Sequence, residues 1–432
     1  MMGSLGHLLV GLIDDIMVGR LGAVELAATS LGNSLFFIAL SIGLGFSFAI
    51  TPLIAESDGE GNKEKGRGVF QHGIISCAII GVAMFIMLLL IKPILYHLDQ
   101  PEEVVVLAIP YYEIVALSMI PLMIFQGFKQ FADGLSQTKY AMWATILTNV
   151  VNVVLNFVLI YGFWIFPRLE LVGAALGTLI SRVVMVIFLY VVLLKKEKFA
   201  SYMKRLKLTE IKTEIFRKII NLGFPTALQM LFEVGLFTAS VLLAGTLGAL
   251  PQAANQIALK LASTTFMIAV GIGVAATIRV GNQKGLKNYV ELRRIAFSNF
   301  LLILIIMFLF SIGFILFKDI LPWMFTDNLE VIKIASSLLI VAGLFQLSDG
   351  LQAVILGGLR GLQDVNVPSI LTFIAYWIIG FPVCYYLGRV VDLGTFGIWI
   401  GLLTALTSSA AMLFIRFNYL TNKLIREKNG TT

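Results

Sequence analysis

The chain has 432 residues, 58% of them hydrophobic and 13% charged, and its mean hydropathy is +0.92. So apolar a chain cannot cover itself with polar surface, which excludes a soluble enzyme, a nucleic-acid binder and a disordered protein as readings of the whole. The net charge of +7 does not signal nucleic acid either, because the basic residues gather in one set of loops between long apolar stretches.

A membrane-crossing helix needs roughly 20 apolar residues. On that measure spans are predicted near 1–19, 26–55, 69–96, 104–128, 140–163, 171–194, 219–246, 252–278, 295–317, 331–357, 367–388 and 394–415, twelve in all. These runs far exceed the roughly 10 alternating residues of a barrel strand, so the fold class is an all-α polytopic membrane protein. The first span is short as written: thirteen residues precede Asp14, with no basic leader or small-residue cleavage site, and an upstream start is expected. The second is long, with no charge between Glu25 and Glu56, and a bend is expected near Gly43, Gly45 or Pro52.

Charge asymmetry orients the spans. Lys63, Lys65, Arg67, Lys129, Lys139, the bases from Lys195 to Lys218, Arg279, Lys284, Lys287, Arg293, Arg294, Arg360, Arg416, Lys423, Arg426 and Lys428 fall on one side. The other side holds Arg20, Lys92, Arg168, Lys318, Lys333 and Arg389 beside Asp99, Glu102, Glu103, Asp327 and Glu330. Both termini are therefore expected in the cytoplasm.

The sequence also repeats itself. Leu21-Gly-Ala-Val-Glu-Leu-Ala-Ala28 recurs 226 residues later as Leu247-Gly-Ala-Leu-Pro-Gln-Ala-Ala254. Gly43/Gly45 are echoed by Gly271/Gly273, Gly134-Leu135 by Gly361-Leu362, and Gly173/Gly177 by Gly397/Gly401. Two pseudo-symmetric six-helix lobes follow: 1–194, with its first helix apparently truncated, and 219–418. They are joined by a basic linker, 195–218, expected against anionic headgroups, and followed by a cytoplasmic tail, 419–432. An even number of spans per half gives both lobes one orientation around a central cavity, the architecture of alternating access.

Ionisable groups inside spans cost about 2.5–3.5 kcal/mol each on insertion scales and need a reason. Asp349 and Glu233 lie mid-span with no basic residue at i±3 or i±4. Two such carboxylates from different helices suit a sodium ion, a proton or a cationic substrate; a structural hydrogen bond is the alternative. Asp14 and Asp15 are about 100° apart on a helix, so only one points into a given cavity. Asn152 and Asn156 form an i, i+4 stripe that serves either an ion or helix packing. Lys260 and Arg182 read as structural or snorkelling residues, and Glu113 stays open. Cys77 and Cys384 sit in apolar runs as buried thiols, and no Cys/His motif offers zinc or haem ligation.

Twelve spans in two lobes, Asp14-Asp-Ile-Met-Val-Gly19 in the first span and Gly358-Leu-Arg-Gly-Leu-Gln-Asp364 after the tenth resemble the multidrug and toxic compound extrusion (MATE) family, most of all its bacterial NorM-type branch. The resemblance covers essentially the whole chain. It implies a Na+- or H+-coupled antiporter that exports hydrophobic organic cations, with lobes rocking about the cavity, in the bacterial cytoplasmic (inner) membrane. It also implies Asp14, Asn152, Asn156 and Thr178 as the N-lobe coupling site and Glu233 and Asp349 as the C-lobe site, where Na+ is the metal expected. No cofactor beyond the coupling ion, no catalytic residue, no nucleic acid and a monomer in membrane lipid are expected. The alternative within the superfamily is a flippase for lipids or lipid-linked oligosaccharides, which the acidic interior disfavours.

Overall fold

The computed structural model describes residue 14 and residues 16–98, 100–163, 166–203 and 212–430. Among these are eleven helices long and apolar enough to cross a membrane, and no strand. In chain order they are α1 (Ala23–Gly59), α2 (Lys63–His97), α3 (Glu102–Gly134), α4 (Thr138–Tyr161) and α5 (Glu170–Lys195). A short α6 (Glu197–Met203) follows. Then come α7 (Thr213–Gly245), α8 (Ala249–Gly285), α9 (Tyr289–Leu316), α10 (Leu329–Gly361), α11 (Asn366–Val390) and α12 (Gly394–Lys428). Most of the expected span 1–19 lies outside the described residues; Asp14 and residues 16–19 are helical. The chain forms two compact units that divide between Ala227 and Leu228.

The bend expected in the second span is present. α1 consists of Ala23–Ser47 and Ile50–Gly59, separated by a turn at Phe48–Ala49. Pro52 has no N–H to return to the carbonyl four residues earlier, so the helix breaks there.

The repeat seen in the sequence is a repeat of backbone geometry. Asn62 caps α2 by accepting from Lys65 N, and Asn288, 226 residues on, caps α9 by accepting from Glu291 N. Each follows a residue at positive φ, Gly61 at 68° and Lys287 at 55°. Ser136 and Gln363 form a second such pair, at 60° and 63°, and Glu170 and Gly394 a third, at 50° and 59°. Helix contacts repeat too. Thr51 Oγ1 donates to the carbonyl of Gln130 at 3.1 Å, as Thr277 Oγ1 donates to that of Gly357 at 2.9 Å.

In the first unit an aromatic cluster of Phe70, Phe131, Phe199 and Tyr202 fastens α6 to α2 and α3, with Phe70 and Phe131 centroids 4.0 Å apart. Arg67 donates to Ser201 O and Lys198 to Leu135 O, both at 2.8 Å. The start of the expected basic linker is thus docked through its apolar side chains, not spread as a charged strand. The first turns of α7 pack on the same unit. His72 accepts the Lys212 backbone N–H at Nε2 (2.8 Å), and its Nδ1 bonds Gly68 O (2.7 Å). Phe216 sits edge-on to the ring, and Lys65 and Lys218 lie 3.0 and 3.6 Å from buried Glu56.

The second unit has two apolar cores strung along α10. One gathers around Phe345, Tyr376, Trp399 and Leu402; the other gathers around Phe300, Met307, Leu359 and Phe417. Between them, the buried residues of α10 are Gln346, Asp349, Gly350 and Gln352. Large apolar side chains such as Leu90, Leu242, Leu316 and Ile415 instead face outward, as lipid surroundings require.

Candidate functional site

The site residues fall into two groups, one in each unit. In the first, Asn152 and Asn156 are buried on α4, and Asn156 Nδ2 donates to Asp14 Oδ1 at 2.6 Å. Tyr161, one turn beyond, donates to Met17 O at 2.9 Å, so α4 holds the segment carrying Asp14 at two points. A Cβ at Gly177 would strike Asn156 Oδ1, so any larger residue there displaces that side chain. Thr178, the next residue on α5, is half-buried. The Oδ1 atoms of Asn152 and Asn156 are buried and accept no hydrogen bond. Arg182, on the same helix, lies within electrostatic reach of Asp14, donates to Ser118 Oγ and stacks over Phe36 at 4.8 Å. Asp14 and Asn156 therefore come together, Asn152 lies one turn before Asn156 on the same helix, and Arg182 has the structural partners expected of it.

The second group is built on α7, α10 and α11. Asp349 is 6% exposed, and Glu233 on α7 is within electrostatic reach of it. Sequence reasoning missed their surroundings. Arg360, at the end of α10, faces Glu233 and donates to Gln229 Oε1 at 2.9 Å. Gln229 lies one turn before Glu233 on α7 and donates in turn to Thr372 Oγ1 at 3.2 Å. Tyr376 accepts from Gln352 Nε2 and faces both carboxylates. α11 has two π-helical stretches, Ile374–Gly380 and Tyr386–Val390, and Tyr376 lies in the first. Within the first, Trp377 Nε1 reaches Phe232 O at 3.3 Å, beside Glu233. The available signal was polar residues at i±3 of Asp349 and i−4 of Glu233 in otherwise apolar spans.

The charge inventories differ. Among the described residues, ionised Asp14 is matched by Arg182, whereas Glu233 faces both Arg360 and Asp349, a trio with one negative charge in excess when all are ionised. A site of that balance becomes neutral on taking one monovalent cation. Among the described residues no three His, Cys, Asp or Glu side chains cluster as metal ligands, so any further ligands for an ion here are amide, hydroxyl or backbone oxygens. Glu113 pairs with Lys92 at 2.7 Å, and Lys260 is exposed. Cys77 and Cys384 are buried free thiols, the latter donating to Ile398 O at 3.4 Å.

The chain matches the MatE family over residues 1–158 and 225–386. It is 34% identical to the probable multidrug resistance protein NorM of Rhizobium meliloti, over 96% of this chain and 90% of that one. It is 31% identical to the multidrug resistance protein NorM of Photobacterium profundum, over 97% and 93%. Its fold superimposes on the crystal structure of the eukaryotic MATE transporter AtDTX14 with a TM-score of 0.87 at 20% identity, covering 98% of this chain and 95% of that one. The chain belongs to the MATE family of membrane transporters, in its NorM-like bacterial branch.

Proposed function

We propose that this protein is a multidrug efflux antiporter that exports hydrophobic organic cations against an inward flow of Na+ or H+. It acts as a monomer in the bacterial cytoplasmic membrane with both termini in the cytoplasm. The observation that carries this reading is buried Asp349 within electrostatic reach of half-buried Glu233, which faces Arg360. A carboxylate pair with one negative charge in excess is costly to enclose in a low-dielectric interior, and a bound monovalent cation removes that cost. The ion then favours whichever facing of the transporter closes over it, which is the differential affinity that coupling requires. The Asp14–Asn156 group is a second place where the same ion, or a proton, acts in the cycle. The carboxylates inside the spans also suit cationic cargo and oppose anionic lipid.

The test is export of a fluorescent organic cation from proteoliposomes under a Na+ gradient and a pH gradient imposed separately. The reading expects acceleration by at least one of them. No export under either gradient by folded protein would overturn it.

A further inference from the structure

Asp349 is flanked one turn to either side by a glutamine, Gln346 at i−3 and Gln352 at i+3, and all three are buried, at 2%, 6% and 1% exposure for 346, 349 and 352. Residues three apart on a helix are neighbours on one face. Gln346 Oε1, Asp349 Oδ1 and Gln352 Oε1 all accept no hydrogen bond, and neither does Gln346 Nε2 find an acceptor. An orphaned buried polar atom costs about 1–3 kcal/mol, and three orphaned acceptors on one helix face are too many to be incidental. The amide of Gln352 is not free to turn away: its Nε2 is committed to Tyr376 Oη, which leaves Oε1 facing elsewhere. These residues form the polar belt between the two apolar cores, and the cores' aliphatic and phenyl side chains offer no donor to their oxygens.

We propose that Gln346 and Gln352 are neutral oxygen ligands of the coupling site, completing with Asp349 and Glu233 an oxygen shell for a dehydrated Na+, with Tyr376 positioning Gln352. This inference rests on the cation-coupled reading above and narrows it to sodium at this site. A hard cation stripped of water takes carboxylate and carbonyl oxygens together, and one ion satisfies several orphaned acceptors at once. A proton on Asp349 satisfies one carboxylate oxygen and leaves both amides as they were.

The test compares Gln346→Met and Gln352→Met with the parent protein, which remove the oxygens at similar volume. Thermal stability in detergent is followed with NaCl or choline chloride as the salt, alongside Na+-driven drug export. In the parent, Na+ raises stability and drives export. In each Met variant the apparent Na+ affinity falls tenfold or more, while stability in choline is equal or higher because orphaned atoms have left the interior. Gln352→Glu, which keeps an oxygen, retains Na+ stabilisation, and Tyr376→Phe weakens it less than Gln352→Met does. If Na+ affinity in both Met variants stays within twofold of the parent, or both are destabilised equally in the two salts, the glutamines are structural and the inference is wrong. A parent driven by the pH gradient alone and unaffected by Na+ overturns this inference but leaves cation coupling standing. A parent inert under both gradients overturns the coupling reading itself.

Discussion

The α8–α10 crossing sets where Asp349 stands, and a single methyl group should displace it. A Cβ on Gly357 would fall onto the carbonyl oxygen of Gly273, with the carbonyl carbon and Cα of Gly273 at 2.8 and 2.9 Å. Every one of these atoms is backbone, so no side chain can swing aside. Ordinary van der Waals contact begins at 3.4 Å, and the oxygen, the nearest of these atoms, requires the helices to part by roughly 1 Å to restore it. Overpacking of this kind costs about 1–3 kcal/mol, and loss of the 2.9 Å bond from Thr277 Oγ1 to the Gly357 carbonyl adds about 1 kcal/mol. The control is Gly313→Ala on α9, where a Cβ meets nothing within 4 Å and helix propensity should gain about 0.5–1 kcal/mol. Gly357→Ala and Gly313→Ala should therefore differ by about 3 kcal/mol, roughly a hundredfold in the folded-to-unfolded ratio. Titration with a denaturing detergent, read by tryptophan fluorescence, measures the difference. Na+-dependent export by the residual folded Gly357→Ala protein should also fall, because α10 carries Asp349. Equal stability of the two variants would show that the backbones are not in contact at this crossing and would refute the reasoning.

Other consequences follow from the same contacts. His72→Phe removes the acceptor for the Lys212 N–H, a bond worth about 1 kcal/mol, so trypsin should cut between Met203 and Thr213 several-fold faster; an unchanged rate would mean the latch holds nothing. Arg360→Met strips Gln229 of a charged donor and Glu233 of its counter-charge, and should destabilise the protein by about 1.5–3 kcal/mol in detergent unfolding. Adding Glu233→Gln to it should restore much of that loss, whereas simple additivity would show that the two groups do not interact. Gly177→Ala drives a methyl group into Asn156 Oδ1 and should weaken any ion binding that depends on Asp14, read as altered ion-driven export, more than Ala at Gly313 does.

The span pattern, the bend before Pro52 and the internal repeat were legible because each rests on a local property: apolar run length, a missing N–H, or a recurring glycine. Glycine pairs that repeat in the sequence mark close approaches in the structure, as at Gly173 against Leu159 and Gly397 against Leu387. The convergence of Asn156 on Asp14 was legible only through resemblance, since 142 residues separate them. Arg360 stayed hidden because it ends a span among loop bases, and counting charges by loop assigns it to solvent. Its partner, Gln229, comes from another helix, a relation that periodicity does not carry. Gln346 and Gln352 were visible as letters, but their orphaned oxygens depend on what surrounds them. Likewise, the charge of Lys195, Lys196 and Lys198 masked the anchoring role of Phe199 and Tyr202, which are buried in the first unit.

The central claim is that carboxylates set inside the spans take the coupling ion. Export of a fluorescent organic cation by Asp14→Asn, by the Glu233→Gln/Asp349→Asn pair and by all three together tests it most directly, in proteoliposomes under an imposed ion gradient. The account predicts that the triple variant, folded and inserted, loses gradient-driven export, and that the Glu233/Asp349 pair alone loses the response to Na+. Gradient-driven export at the parent rate by the triple variant would contradict it.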